Sequence, residues 1–299
     1  SSLYLIEQEL INMLTTNIEI ISIIGSILDK SRVSNIFDFY KVNTVYHAAA
    51  YKHVPLVESN ISQGVLNNAF GTLIIAEAAI ASNVDTFVLI STDKAVRPTS
   101  VMGVAKRVAE LVLQALAKKP HNTCFTMVRF GNVLDSSGSV IPLFKKQIKK
   151  GGPVTVTDKK MVRFFMTIPE SVELVIQSGA MAHGGDVFVL DMGEPVSIND
   201  LAIKMIQLSG LSVRDQETPE GDIEICYTGI RPGEKLYEEL LVGDNVIATE
   251  NKLIMRSNEN MINWEQLEPM LIELKEVSIK DKKALIQESL KKIVPEYNL

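Results

Sequence analysis

The feature that most constrains this chain is a series of short, nearly unbroken apolar and β-branched runs: Ile18–Ile24, Thr44–His47, Thr86–Ser91, Phe125–Phe130 and Val187–Asp191. A strand with one wet face alternates apolar and polar residues, whereas a strand covered on both faces does not. The runs therefore predict a sheet sandwiched between two layers. Helical patterns fill the intervals. Leu56–Ala81 carries Leu66, Ile74, Ile75 and Ala78, and Met102–Ala117 carries Val104, Val108, Leu111, Val112 and Leu116. Strand alternating with helix requires right-handed crossovers, so the expected class is α/β with a doubly wound parallel sheet. The 299 residues give room for about two domains and a core that needs no staples.

Charge narrows the function classes. Thirty Lys+Arg against 36 Asp+Glu leave a formal net charge of −6, which argues against nucleic acid as a partner, because such binding runs on clustered positive charge. The two cysteines, Cys124 and Cys226, suit a reducing compartment and build neither a disulfide framework nor a metal site. No apolar run reaches the roughly 18 residues of a spanning helix, and no signal peptide opens the sequence. The expectation is a soluble, cytoplasmic protein without a membrane segment of its own.

Ser1–Leu14 places Leu3, Ile6, Leu10, Ile11 and Leu14 on one helical face, so the sequence opens with a helix lacking the strand it should follow. A dinucleotide-binding sheet begins with a strand and a G-x-G-x-x-G turn under the pyrophosphate. None of the 17 glycines forms that pattern. Either such a site is not used, or the first strand–helix unit lies upstream; the continuation-like texture that follows favours the second reading. After about residue 195 the texture changes. Ser197 can cap a helix over Ile198–Ser209, with Asn199 and Asp200 in its first turn. A loop at Val213–Asp222, a strand at Ile223–Tyr227 and a charged helical tail from Asn260 follow, with Trp264 in the core.

The chemistry concentrates at Ile90–Ser91–Thr92–Asp93–Lys94, followed by Met102 and Lys106. A strand ending at Ser91 puts Thr92, Asp93 and Lys94 at the carboxyl edge of the sheet, where open α/β folds bind ligands. Met102 and Lys106 share one face of the next helix. An isolated Asp-Lys pair is ordinarily a solvated turn, and an isolated helix lysine an exposed one.

The surrounding motifs alter that balance. His47–Ala48–Ala49–Ala50–Tyr51–Lys52–His53–Val54–Pro55, then Asn68 with Gly71–Thr72, then S-T-D-K-A-V-R-P with M-x-x-x-K, resemble the extended short-chain dehydrogenase/reductase superfamily. With F-G-N-V-L at 130–134, G-S-V-I-P at 138–142, R-F-F-M-T at 163–167 and R-P-G-E-K at 231–235, residues 1 to roughly 245 are more narrowly similar to the UDP-N-acetylglucosamine 4,6-dehydratases of capsule and flagellin-glycan synthesis. The superfamily's tyrosine, four residues before the lysine, is Met102 here. A thioether has no proton to exchange. The sequence resembles in this respect a subgroup with methionine there, mostly long forms carrying an N-terminal membrane region.

The resemblance implies NAD (or NADP) kept through each cycle, a UDP-sugar substrate and a homo-oligomer. It implies a reaction in which hydride leaves carbon 4, a proton leaves carbon 5, the 6-hydroxyl departs and hydride returns to carbon 6. Its catalytic residues would be Thr92, Asp93, Lys94, Met102 and Lys106. Asp93 would be the acid and Lys94 the base, with burial pushing Asp93 towards its protonated and Lys94 towards its neutral form. Thr92, or a water on Asp93, would take the 4-hydroxyl proton, and Lys106 would hold the nicotinamide ribose. The cofactor side would comprise Ser26, Ile27, Ala48, Ala49, Lys52, Asn68 and Ser91, with Ser26 replacing the family's acidic residue against the adenine. The sugar-nucleotide side would comprise Lys52, Asn132, Val140, Ile141, Pro142, Thr155, Thr157, Arg163, Arg231 and Glu234. His53 reads as a structural histidine, and His121 and His183 carry no function. The expected division is a dinucleotide-binding portion from 1–137 and 164–196, and a nucleotide-sugar portion from 138–163 and 197–299. The rival readings are a nucleotide-sugar epimerase and a non-catalytic nucleotide-sugar-binding fragment.

Overall fold

Four of the five runs form neighbouring parallel strands: Thr44–His47, Thr86–Ile90, Cys124–Arg129 and Asp186–Leu190. Two antiparallel strands, Ile254–Ser257 and Val246–Ala248, extend the sheet to six. The computed structural model describes residues 2–15, 18–136, 138–239 and 246–298. Ser1, the boundary at 137, and residues 240–245 and 299 of the expected sugar-nucleotide portion lie outside these.

Both sheet faces are covered, as the uninterrupted apolar runs require. Leu174 and Val175 of the helix Ile168–Ala180 pack on Val88, Val128, Phe188 and Leu190. Phe87, Leu89, Phe125 and Met127 face the other way, into a core shared with the helices before and after the strand Thr86–Ile90. The helix Val101–Leu116 is buried along its whole length, because tail helices Trp264–Ile279 and Lys283–Ile293 close over it with Leu267, Leu271, Leu274, Ile286 and Leu290. The tail thus belongs to the large sheet and not, as expected, to a sugar-nucleotide portion running to 299. Among the described residues one helical run, Ile61–Ala81, is long and apolar enough to cross a membrane, and most of it is buried in this core.

The fifth run differs. Ile18–Ile24 is not a strand, and Ile18, Ile21 and Ile24 are exposed. A strand exists only beside another, and among the described residues none lies along the outer edge of Thr44–His47. The first helix forms over Ser2–Met13, yet Leu5, Ile6, Leu10 and Ile11 remain exposed for the same reason.

A smaller unit supplies the other wall of a cleft. Val154–Val156, Ile223–Tyr227 and Val213–Arg214 form a three-stranded parallel sheet. The helices Val140–Lys149 and Ile198–Leu208 pack on it through Phe144, Ile148, Ile198, Ala202 and Ile206.

Candidate functional site

Beyond Ile90 the chain leaves the sheet while remaining bonded to it. The N–H of Ser91 donates to the Val128 carbonyl at 2.8 Å, and that of Asp93 to the Phe130 carbonyl at 3.1 Å. Asp93–Ala95 then makes one 3₁₀ turn, with Thr92 Oγ1 accepting from the Lys94 N–H at 3.3 Å. Ser100 caps the following helix by accepting from the Gly103 N–H at 3.1 Å. Gly103 lies directly on this turn, and a Cβ there would overlap the Lys94 carbonyl oxygen. Gly103→Ala is therefore expected to cost about 1–3 kcal/mol through overpacking, read as a lower denaturant midpoint; an unchanged midpoint would show that the turn can yield.

Three side chains of this turn form a cluster. Asp93 is fully buried. Its Oδ1 accepts from Thr92 Oγ1 at 2.8 Å and from Lys94 Nζ at 3.0 Å, while its Oδ2 has no partner among the described residues. Lys94 reaches the cleft with 22% of its side chain exposed and also faces Glu238 Oε1, 3.4 Å from its Nζ. Burial pushes the Lys94 amine down, but the Asp93 and Glu238 carboxylates outweigh it and hold the amine above its ordinary value. This corrects the expectation that burial leaves Lys94 neutral: the amine is buried among anions, not in an apolar pocket.

Lys106 stands one helical turn beyond Met102. Burial alone, opposed by Glu110, lowers its amine to about 8. Beneath the turn lies a charged network. Ser91 Oγ donates to Glu110 Oε1 at 2.6 Å, and Arg129 Nε donates to the same oxygen at 2.7 Å. Arg107 reaches Glu110 at 3.1 Å, and both arginines also pair with Glu259. Burial would raise the Glu110 carboxyl, but Arg129, Arg107 and Ser91 hold it down at about 2.

The cleft has a volume of about 520 Å³, within the usual range for small-molecule sites. Ser91, Thr92, Lys94, Met102 and Lys106 line one side, with Ala48 and Lys52 beside them. Asn132, Val140, Thr155, Thr157, Arg163, Arg231 and Glu234 line the other. A polar chamber of about 240 Å³ adjoins it, bounded by Lys52, His53, Lys94, Arg163, Arg231, Glu234 and Glu238. The remaining expected site residues lie elsewhere. Asp93 sits behind the wall. Ser26 Oγ accepts from the Leu28 N–H at 3.2 Å, and Ile27 lies over Gly71, both away from the cleft. Ala49 is exposed, and Ile141 and Pro142 are half-buried in their helix. Asn68 brackets Tyr51, accepting from its N–H at 2.8 Å and donating to its carbonyl at 2.9 Å, and so fixes the loop that carries Lys52.

Arg163 is engaged with protein: its guanidinium donates to the carbonyls of Val162 at 2.8 Å, Lys235 at 2.8 Å and Leu236 at 3.3 Å. It thereby folds the segment after Arg231 over the Asp93–Lys94 turn, and Lys235 Nζ donates to the Val96 carbonyl at 3.0 Å from the same segment. Glu238 was missed in the sequence. The only signal for it is its place just past the R-P-G-E-K motif, and nothing local shows that its carboxylate turns inward.

Tested against a bound dinucleotide, the cleft fits the nicotinamide-ribose end. Met102 gives an apolar floor, with Ser91 and Lys106 offering polar atoms beside it. No glycine-rich phosphate turn occurs in the sequence. Among the described residues no group of three or more His, Cys, Asp or Glu is arranged to hold a metal ion.

The family model described as "Polysaccharide biosynthesis protein" matches residues 1–259. The capsular polysaccharide biosynthesis protein CapD of Staphylococcus aureus is 54% identical over 241 residues, covering 81% of this chain and 39% of CapD. The chain thus spans well under half the length of this curated relative. The crystal structure of Pen from Bacillus thuringiensis is 35% identical and superposes with a TM-score of 0.74, covering 90% of this chain and 86% of Pen. The dTDP-glucose 4,6-dehydratase DesIV of Streptomyces venezuelae, solved with NAD, shares the fold at a TM-score of 0.62 and 19% identity over 72% of this chain and 69% of its own. By the family match and this fold, the chain belongs to the polysaccharide biosynthesis protein family, built on the extended short-chain dehydrogenase/reductase fold.

Proposed function

We propose that this chain carries the substrate face of an NAD(P)-dependent nucleotide-sugar 4,6-dehydratase acting on a UDP-N-acetylhexosamine, UDP-N-acetylglucosamine first. The observation that carries the reading is the Thr92–Asp93–Lys94 cluster: a hydroxyl and an amine in the cleft, both hydrogen-bonded to one buried carboxylate oxygen. Family membership supports it, as does the DesIV fold likeness, though DesIV acts on a dTDP-sugar.

When bound, the dinucleotide supplies the acceptor and later the donor of hydride. Met102 and Ser91 would line its nicotinamide end and Lys106 would hold the ribose. The 4-hydroxyl proton passes to Thr92 Oγ1 as Thr92 gives its own proton to Asp93 Oδ1, 2.8 Å away. This relay replaces the absent tyrosine and leaves Asp93 as the protonated acid that elimination requires. The 4-ketone acidifies carbon 5, whose proton moves to the neutral amine of Lys94. Asp93 returns its proton through Thr92 to the departing 6-hydroxyl, which leaves as water. Lys94 finally reprotonates carbon 5. The water therefore consists of the 6-hydroxyl and the 4-hydroxyl proton, and every proton is accounted for.

Across the cleft, Arg231 offers positive charge to the diphosphate, joined by Lys52 from the near side, Glu234 accepts from ribose hydroxyls, and Thr155 and Thr157 face the base. Asn132 and the start of the helix Val140–Lys149 supply further donors. Incubation with UDP-N-acetylglucosamine and NAD, followed by mass spectrometry, tests the reading. Loss of one water is expected. Unchanged mass with a changed sugar would favour the epimerase, and unchanged sugar with tight UDP binding the non-catalytic module.

A further inference from the structure

Glu238 is a buried acid without a role in the steps above. Its side chain is 2% exposed, and it faces the amine on which carbon-5 deprotonation depends. We propose that Glu238 is the positioning residue that sets the charge of Lys94, holding the amine as ammonium in the resting site and taking its proton when the cleft fills. The inference rests on the proposed function, since it assigns the destination of the proton that Lys94 must lose before it can act as a base.

Three observations carry it. The first is distance: Lys94 Nζ lies 3.4 Å from Glu238 Oε1, so a small movement permits direct transfer. The second is the inequality of the two acids beside Lys94. Asp93 Oδ1 receives two hydrogen bonds, whereas Glu238 meets Lys94 and Arg163 only as ion pairs, at 3.4 and 3.6 Å. Glu238 Oε2 has no hydrogen-bond partner among the described residues. Glu238 Oε1 thus accepts no hydrogen bond among the described residues and is open to one from the Lys94 amine. The third is the opening: of Asp93, Lys94 and Glu238, Lys94 alone lines the larger cleft. Substrate covering it removes water from an ion pair whose neutral form, amine beside carboxylic acid, carries no desolvation penalty for charge. The transfer balances: the ammonium becomes an amine, the carboxylate a carboxylic acid, and the proton returns after turnover.

The charges around the amine fix the direction of the effect. Asp93 faces it from its own turn, Glu238 from the segment after Arg231, and Arg163 from the short strand Val162–Arg163. Arg163 opposes the two acids and is itself 3.6 Å from Glu234. Lys52, His53, Lys235 and Arg231 bound the rest of the chamber. Removing the Glu238 charge leaves Asp93 alone against Arg163, so the ammonium becomes less favoured.

The test needs no sugar. Acetic anhydride acetylates only the neutral amine, and peptide mass spectrometry reads Lys94 labelling against pH. In Glu238→Gln, Lys94 is expected to label about tenfold faster than in the wild type below the midpoint, a change of about one pH unit. Glu238→Asp, which keeps the charge but withdraws it, is expected to fall between them and guards against a folding defect in the amide variant. In turnover assays Glu238→Gln should lower kcat at neutral pH, where no carboxylate remains to take the Lys94 proton, and recover it as pH rises, with KM little changed. Identical labelling curves for wild type and both variants would overturn the proposal. Shifted labelling in a protein that releases no water from UDP-N-acetylglucosamine would support the coupling while refuting the proposed function. Unshifted labelling with normal dehydration would do the reverse.

Discussion

Lys94→Ala is expected to lower kcat by about 10²–10⁴-fold, the range that positioned acid–base groups contribute, while KM for UDP-N-acetylglucosamine changes little. In the proposed reaction the amine acts on carbon 5 and not on the diphosphate, which is assigned to Arg231 on the opposite wall and to Lys52. The substitution also leaves two buried acids facing each other, Asp93 fully buried and Glu238 nearly so. Steady-state kinetics between pH 6 and 9, with calorimetric titration of UDP as a check on binding, measure this directly. A loss of less than about tenfold, with the wild-type pH profile retained, would remove Lys94 from the role of base.

Glu110→Ala is expected to destabilise the fold by about 3–5 kcal/mol, the cost of breaking a buried charge pair by removing one partner. It strands Arg129, whose guanidinium is fully buried, and frees Ser91, the residue that anchors the Asp93–Lys94 turn. Glu259 keeps hold of Arg129 from the C-terminal side, so the lower end of the range is expected. The contribution depends on pH with a definite sign. The Glu110 carboxyl is held at about 2 against an ordinary 4.5, so the native state stabilises the anion. That stability is complete above about pH 4.5 and is lost as pH falls towards 2, for a total on the order of 3 kcal/mol. In urea melts, wild type and Glu110→Gln should therefore differ most near pH 7 and converge only as pH approaches 2. His47, held neutral by burial at about 3, is common to both and cancels in the difference. A gap that does not change with pH would show that Glu110 is not the titrating member of the network.

What was legible in the sequence divides along the range of the forces involved. Thr86–Ser91 and Phe125–Phe130 announced themselves because covering both faces leaves few polar positions in the run, Arg129 being paired with Glu110 and Glu259. Ile18–Ile24 has the same composition and is not a strand, because strandedness belongs to a pair and its composition says nothing of a neighbour. The helical pattern over Leu56–Ala81 was visible. Its break at Asn60 and the π-helical turn at Leu66–Phe70 were not, since that turn leaves Asn68 reaching back to Tyr51, 17 positions away. The turn at Asp93–Lys94 was legible through its motif. Its electrostatics were not: Glu238 approaches Lys94, and Glu259 approaches Arg129, across sequence distances that no local pattern records. The helical tail was readable as helix, but its burial of Val101–Leu116 was not, because an amphipathic stripe does not name the surface it covers.

The most direct measurement is the reaction of UDP-N-acetylglucosamine with NAD in deuterium oxide, with the product examined by mass spectrometry and proton NMR. The expected product has lost one water and carries deuterium at carbon 5 but none at carbon 6, because Lys94 exchanges its proton with solvent while the hydride returns unexchanged. A product that keeps its oxygen, or one dehydrated with no deuterium at carbon 5, would contradict a solvent-exchanging Lys94 base in the cleft.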